Sequence, residues 1–164
     1  MSDPGLEKLL QRLTNSLAED LLVQSVTDNI RNKLQVNRVV LYYFYRQWEG
    51  RVTFESLSSH NYSILGSTGP DDCFNGEYAA WYQNGRVSAI ADIETAPIAN
   101  CHRDFLREMG VKANLVVPVV PNSSLWGLLV AHHCQNSVDW SESQITMMQA
   151  GANTLARSET IRGT

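Results

Sequence analysis

Between Leu34 and Val39 the spacing of apolar residues changes, and that change constrains the fold more than any other feature of the chain. Before it, Leu6, Leu9, Leu10, Leu13, Leu17, Leu22, Val26, Ile30 and Leu34 recur at the interval that lines one side of a helix. One long helix, or two in succession, is expected there, with Glu7, Lys8, Arg12, Glu19, Asp20 and Arg31 on a solvated face. After it, residues 39–45 are β-branched and aromatic, and residues 51–57 alternate polar with apolar beyond Glu49-Gly50. This predicts a β-hairpin. Residues 115–120 and 125–134, joined by Pro121-Asn122-Ser123-Ser124, predict a second hairpin and the centre of a sheet. Ser141 and Gln144 stand at capping-box spacing ahead of Ile145, Met148, Ala152, Leu155 and Ala156, which predicts a closing helix. The fold class expected is α+β: a central antiparallel sheet with the N- and C-terminal helices on one face.

A long mixed insertion separates the hairpins. Residues 58–70 carry loop chemistry and lead to the tetrad Asp71-Asp72-Cys73-Phe74. A short helix is expected over 77–83, ended by Asn84-Gly85, then a short strand over 87–90. A loop over 92–100 delivers Cys101 to the start of a helix that runs through Met109 and stops at Gly110. There is no internal repeat and no low-complexity linker.

Composition narrows the function classes. A chain of 164 residues, 43% hydrophobic, fits one domain with a real core. A net charge of −4 without a basic run argues against nucleic acid. The apolar runs are too short to span a membrane. Three cysteines form no disulfide framework and no apolar leader opens the chain, so a reducing, cytoplasmic setting is expected.

Two of those thiols stand in contrasting company. Cys101 precedes His102, and a helix N-terminus would acidify it further. Cys73 follows Asp71 and Asp72, whose charges favour its protonated form. One thiol is therefore expected to be permanently attached to a partner and the other conditionally. Read alone, Cys101 is an ordinary buried thiol and His102 a surface residue at a helix start. A zinc site from His132, His133 and Cys134 is not expected, because consecutive strand residues cannot converge on one tetrahedral ion and no Cys-rich partner motif exists.

The tetrad Asp71-Asp72-Cys73-Phe74, the segment Asn100-Cys101-His102-Arg103-Asp104-Phe105-Leu106 and the run Leu125-Trp126-Gly127-Leu128-Leu129-Val130-Ala131-His132-His133-Cys134 occur in that order. In combination they closely resemble a cyanobacteriochrome of the dual-cysteine subgroup marked by Asp-Xaa-Cys-Phe. Members of that family are phytochrome-related photoreceptors with a bilin-binding GAF domain. The resemblance spans nearly the whole chain and implies a single photosensory domain with a core over about residues 18–160 and a bilin pocket opposite the helices. It implies phycocyanobilin, or its isomer phycoviolobilin, as the covalent cofactor.

Carried over by position, Cys101 matches the cysteine that joins ring A through a thioether, and His102 packs against the pyrrole rings. Cys73 matches the second cysteine, which adds reversibly to the central methine bridge. That addition cuts the conjugation, so light would switch the pigment between short- and longer-wavelength states. Asp71 would accept hydrogen bonds from pyrrole nitrogens. Arg86 would hold a propionate, and His132 would lie near ring D. Phe74, Tyr78 and Trp81 would wall the pocket, with Tyr82 weighed beside them against an ordinary core role. Asp72 is a turn or solvent residue, His133 a surface histidine and Cys134 a buried thiol.

The family implies a sensory module and not an enzyme, feeding a downstream output domain or signalling partner. The chain is expected to be an excised sensor or a standalone one. A homodimer through the terminal helices is a further expectation. Two rivals share the fold: a thiol reductase of the sulfoxide class using Cys73 and Cys101, and a module for a small non-covalent ligand.

Overall fold

The computed structural model describes residues 3–46, 49–69 and 76–164, with the side chains of 76–79 excepted. The expected N-terminal helix is two helices, α1 (Pro4–Glu19) and α2 (Leu21–Leu34). The break is Asp20, whose extended backbone ends α1 while its carboxylate accepts from the Leu22 and Val23 amides at 3.0 and 3.3 Å. One residue thus stops a helix and caps the next.

Strands β1 (Arg38–Arg46) and β2 (Glu49–Leu57) form the first hairpin, and β4 (Ala113–Val119) and β5 (Gly127–His133) the second. A short β3 (Ser88–Ile90) follows α3 (Gly76–Gln83), and α4 (Asn100–Glu108) leads into β4. The five strands are ordered β2-β1-β5-β4-β3, antiparallel throughout, so β5 is the middle strand. Helices α5 (Glu142–Leu155), opened by the Ser141–Gln144 capping box, and α6 (Glu159–Arg162) complete the chain.

Strand alternation assigns each side chain to one of two layers. Val39, Leu41, Leu115, Val117, Leu129 and Ala131 pack with Leu17, Ile30, Met148 and Leu155 of the terminal helices. Their neighbours Val40, Tyr42, Val116, Leu128 and Val130 form a second cluster on the opposite face, joined by Val52 and Tyr82. The first layer is the main core, and the second becomes the floor of a cleft. Among the described residues, no helix is long and apolar enough to cross a membrane.

Candidate functional site

The cleft sits on the sheet face away from the terminal helices. Val40 and Tyr42 of β1, Asn114 and Val116 of β4, and Leu128, Val130 and His132 of β5 form its floor. Tyr82 from α3 and His102, Phe105, Leu106 and Met109 from α4 and its C-terminal end form the walls, with Ile64, Ser67 and Thr68 at the β2 side. The lining is apolar except for a few separated polar groups, a distribution suited to a large, mostly hydrophobic ligand held at defined points. The cavity is about 60 Å³, below the roughly 300–1,000 Å³ of small-molecule sites, so a four-ring ligand requires its mouth to widen.

Cys101 is exposed and second in α4, one residue from the wall residue His102. It is disulfide-bonded in this structure, so a new bond at its sulfur starts from the reduced thiol. His102 is only 8% exposed. Burial first, and then the charge of Arg86, push its pKa below the ordinary histidine value. The lowered value favours the neutral imidazole, which adds little positive charge beside Cys101. The α4 N-terminus is the nearer source of positive potential.

Arg86 is exposed, with its guanidinium carbon 4.6 Å from the Trp81 ring centroid and 6.0 Å from that of Tyr82. It stands beside the cleft, close enough to act on His102. Trp81 is 46% exposed and is not part of the cleft lining, whereas its neighbour Tyr82 is 3% exposed and is. The aromatic face turned inward is therefore that of Tyr82. The placements expected for Asp71, Asp72, Cys73 and Phe74, and for the Tyr78 side chain, lie outside the described residues.

His132 and His133 diverge as strand neighbours must. His132 faces the cleft at 6% exposure, while the Nδ1 of half-buried His133 accepts from the Gln135 and Asn136 amides at 3.2 and 3.1 Å. Cys134 is half-buried, and burial raises its pKa although the Arg38 charge works against that. Among the described residues, no three His, Cys, Asp or Glu side chains could hold a metal.

Two buried polar residues at the site were not singled out from sequence: Asn114 on the cleft lining, and Arg38 beside it in contact with His132. Arg38, 1% exposed, donates from Nε to His132 Nδ1 at 3.0 Å, and from its terminal nitrogens to the Tyr62 and Met109 carbonyls at 2.6 and 2.8 Å. Asn114, 3% exposed, contributes a buried Oδ1 with no hydrogen-bond partner among the described residues. The available signal was a polar residue at the start of each apolar strand, at a position whose alternation points into the cleft. An orphaned acceptor in an apolar cleft suits a ligand that brings N–H donors, as a linear tetrapyrrole does.

Comparison with known proteins gives a consistent result. The family model described as "GAF domain" matches residues 18–158. An uncharacterized protein of Picosynechococcus sp. is 47% identical over 156 residues, covering 95% of this chain and 96% of that protein. A putative methyl-accepting chemotaxis protein of Synechocystis sp. is 34% identical across 87% of this chain, which spans only 14% of that longer protein. The crystal structure of the cyanobacteriochrome TePixJ GAF domain matches with a TM-score of 0.68 and 32% identity, covering 80% of this chain and 82% of that one. The phycocyanobilin-bound GAF domain from a cyanobacterial phytochrome matches with a TM-score of 0.72 and 30% identity, covering 94% and 93%. These matched structures are photoreceptor GAF domains, not enzymes.

Proposed function

The chain belongs to the GAF domain family, and from that premise we propose that it is a light-sensing module that holds a bilin covalently through Cys101. The observation that carries this reading is the cleft, which has His102 and His132, both with lowered pKa, on its lining, and Cys101 next to His102 on the first turn of α4. The likeness to a cyanobacteriochrome and to a phycocyanobilin-bound GAF domain supports it.

When bound, a bilin supplies a conjugated chromophore with a photoisomerisable double bond before ring D and a central methine bridge open to a second thiol. The residues of this chain bind and orient it. Reduced Cys101 adds to ring A: the S–C bond forms, the thiol proton passes to the tetrapyrrole, and no oxidant or reductant is required. His102 packs against the rings from α4, and His132 reaches toward ring D from the floor. Arg86 at the rim pairs with a propionate.

The finer assignment follows the tetrad. Asp71 accepts from pyrrole nitrogens, and Phe74 and Tyr78 line the pigment with Tyr82. Cys73 adds to and leaves the methine bridge, exchanging a violet or blue absorbing state for a green or orange one. Phycocyanobilin or phycoviolobilin is the proposed pigment. We read residues 18–160 as the core of one photosensory domain in a reducing, cytoplasmic setting. The chemotaxis-type relative supports an output through a signalling partner. Pairing of two copies through the terminal helices is part of the same proposal.

The test is reconstitution of the reduced protein with phycocyanobilin, followed by zinc-enhanced fluorescence on a denaturing gel. Wild type is expected to carry pigment and Cys101→Ala to lose it. Cys73→Ala should keep the pigment but lose the short-wavelength state, and unchanged spectra in that variant would refute the two-cysteine photocycle. A colourless protein whose thiols consume a sulfoxide would overturn the whole reading.

A further inference from the structure

Outside the main core the buried apolar side chains form two further groups, and the cavity lies between them. One is the cleft floor, with Val40, Val116 and Val130 on three adjacent strands. The other gathers Ile90, Ile93, Leu106 and Val111, with Ile98 and Phe105 packed against them. All of this second group belongs to the stretch 90–111, which leaves the sheet at the end of β3 and returns at the start of β4. Helix α4 therefore has a small core of its own, and His102, Phe105, Leu106 and Met109 face the cavity from it.

The stretch is closed at its base and braced inside. The Ile93 amide donates to the Lys112 carbonyl at 2.9 Å, so its two ends meet. A compact loop whose ends meet and whose own side chains fill it behaves as a unit. At the base, Trp140 Nε1 and the Val138 amide donate to the Ile90 and Ala91 carbonyls at 3.0 and 2.9 Å, fixing the exit from β3. Inside, Arg103 donates to the Ile93 and Ala96 carbonyls and Arg107 to the Glu94 carboxylate. The return to β4 turns at Gly110, whose φ of 73° is left-handed backbone that glycine adopts without strain. Arg38 donates to the Met109 carbonyl at 2.8 Å and pins this same end to the sheet. Cys101 lies at the other end of α4, and no second cysteine lies within the stretch, so its disulfide ties that end to the chain outside. Reduction removes that tie.

We propose that residues 92–110 are a hinged flap, which swings from the sheet as one body to admit the bilin and closes over it. This rests on the bilin reading above and deepens it by naming the part that moves. A cavity of about 60 Å³ does not hold four rings, and its floor is a sheet whose strands share a continuous ladder. The wall across from that floor is the flap. Its shape is held by bonds internal to it, and its joined ends provide one axis, with Asp92 and Gly110 as the hinge points. Closure carries Cys101 and His102 inward together, so the nucleophile reaches ring A only after the pigment is seated. The thioether then holds the flap shut, because the pigment lies between it and the floor.

The test places a reporter thiol on each face of β5 in the reduced apoprotein. Val130→Cys puts it on the floor beneath the flap, and Ala131→Cys puts it in the main core on the opposite face. Labelling by N-ethylmaleimide, a reagent larger than the closed cavity, is located by fragment mass spectrometry, which separates the reporter from Cys134. The floor thiol should label at least about 100-fold faster than the core thiol and depend less on urea, because a swinging flap exposes less surface than unfolding does. Equal rates would overturn the flap. Val116→Cys on β4 is a second floor reporter, which should match the first and serves alone if that variant does not fold. Hydrogen exchange separates swinging from melting: the Ala96, Arg103 and Met109 amides, bonded within the flap, should stay protected while the floor thiol labels. Their exchange in step with labelling would overturn the single body. Loading with phycocyanobilin should slow floor labelling by at least about 100-fold. Pigment that attaches with labelling unchanged overturns the flap and leaves the bilin reading standing, whereas wild type without covalent pigment overturns both.

Discussion

Gly127 opens the middle strand at the point where the cleft floor meets β1, and Gly127→Ala tests how tightly that floor is built. A Cβ at this position would lie 2.1 Å from the Tyr42 carbonyl oxygen and 3.0 Å from its carbon. Carbon–oxygen contacts between strands settle at about 3.3–3.6 Å, so the shortfall exceeds about 1 Å, and the obstructing atoms are backbone. Strands β1 and β5 must part there, or the end of the ladder must open. Opening breaks the Tyr43–Gly127 pairing and the bond from the Phe44 amide to the Trp126 carbonyl, 3.1 Å in the native chain. Each backbone bond is worth about 0.5–1.5 kcal/mol net, and forced overpacking costs about 1–3 kcal/mol. The expected loss is therefore about 2–4 kcal/mol, a large share of the roughly 5–15 kcal/mol that holds such a domain folded.

The displacement reaches the site, because Tyr42 lines the cleft and its hydroxyl accepts from the Gly69 amide at 2.9 Å. Urea unfolding of the apoprotein measures the stability loss, and the absorption spectrum of the reconstituted protein reads the effect on the cleft. Gly151→Ala is the control: its added Cβ is crowded by Ile30 Cδ1 at 2.5 Å, the movable end of a side chain, while Val26 Cγ1 and Ile30 Cγ1 lie at ordinary contact distances of 3.5 and 3.6 Å. There the helix preference of alanine, about 1 kcal/mol, offsets the crowding and the net change should be small. A loss below about 1 kcal/mol for Gly127→Ala, or an equal loss for Gly151→Ala, would refute the reasoning.

Three other outcomes are expected. Asp20→Ala removes the cap of α2 and the 2.9 Å bond from Ser158 Oγ, and should cost about 1–2 kcal/mol in urea unfolding. Burial raises the pKa of Asp20, but hydrogen bonds from Ser158, Val23, Thr160 and Leu22 outweigh it and hold the value below 3.8. The contribution of this carboxylate is therefore present above that pH and lost as pH falls further, and an equal acid sensitivity in Asp20→Ala would contradict this assignment. His132, lowered by burial and then by the Arg38 charge, resists protonation in the folded state but not in the unfolded state. Stability should accordingly decline as pH falls below about 6.5, by at most about 1.4 kcal/mol per pH unit for this group, and His132→Gln should flatten that slope in urea titrations. Arg103 ties α4 to the loop before it, donating to the Ile93 and Ala96 carbonyls at 2.8 and 2.6 Å. Arg103→Met should slow pigment attachment at Cys101 by about 10–100-fold in a fluorescence time course by loosening the helix that carries it, and an unchanged rate would contradict that role.

Much of this arrangement was legible in the chain itself. The two hairpins, the closing helix and its cap follow from local periodicity, because each buries one face against the same sheet. The division of the N-terminal helix at Asp20 was not, since the leucine spacing runs on through the break. At the site, His102 and His132 were found as motif residues and both line the cleft. Arg38 and Asn114 were missed because their roles depend on register between strands distant in sequence, which no local pattern encodes. Trp81 and Tyr82 show the same limit: adjacent aromatics on a short helix read alike, and only packing decides that Tyr82 turns inward. The charge state of His102 was likewise invisible, since it depends on burial and not on its neighbour in the chain.

The central claim is a covalently held bilin that changes colour in light. It is tested most directly by the absorption spectrum of the purified, reduced, phycocyanobilin-loaded protein before and after blue illumination. Loss of a short-wavelength band, growth of a longer-wavelength one, and recovery of the first under light absorbed by the second are expected. A spectrum that is colourless, or coloured but unmoved by light, would contradict it.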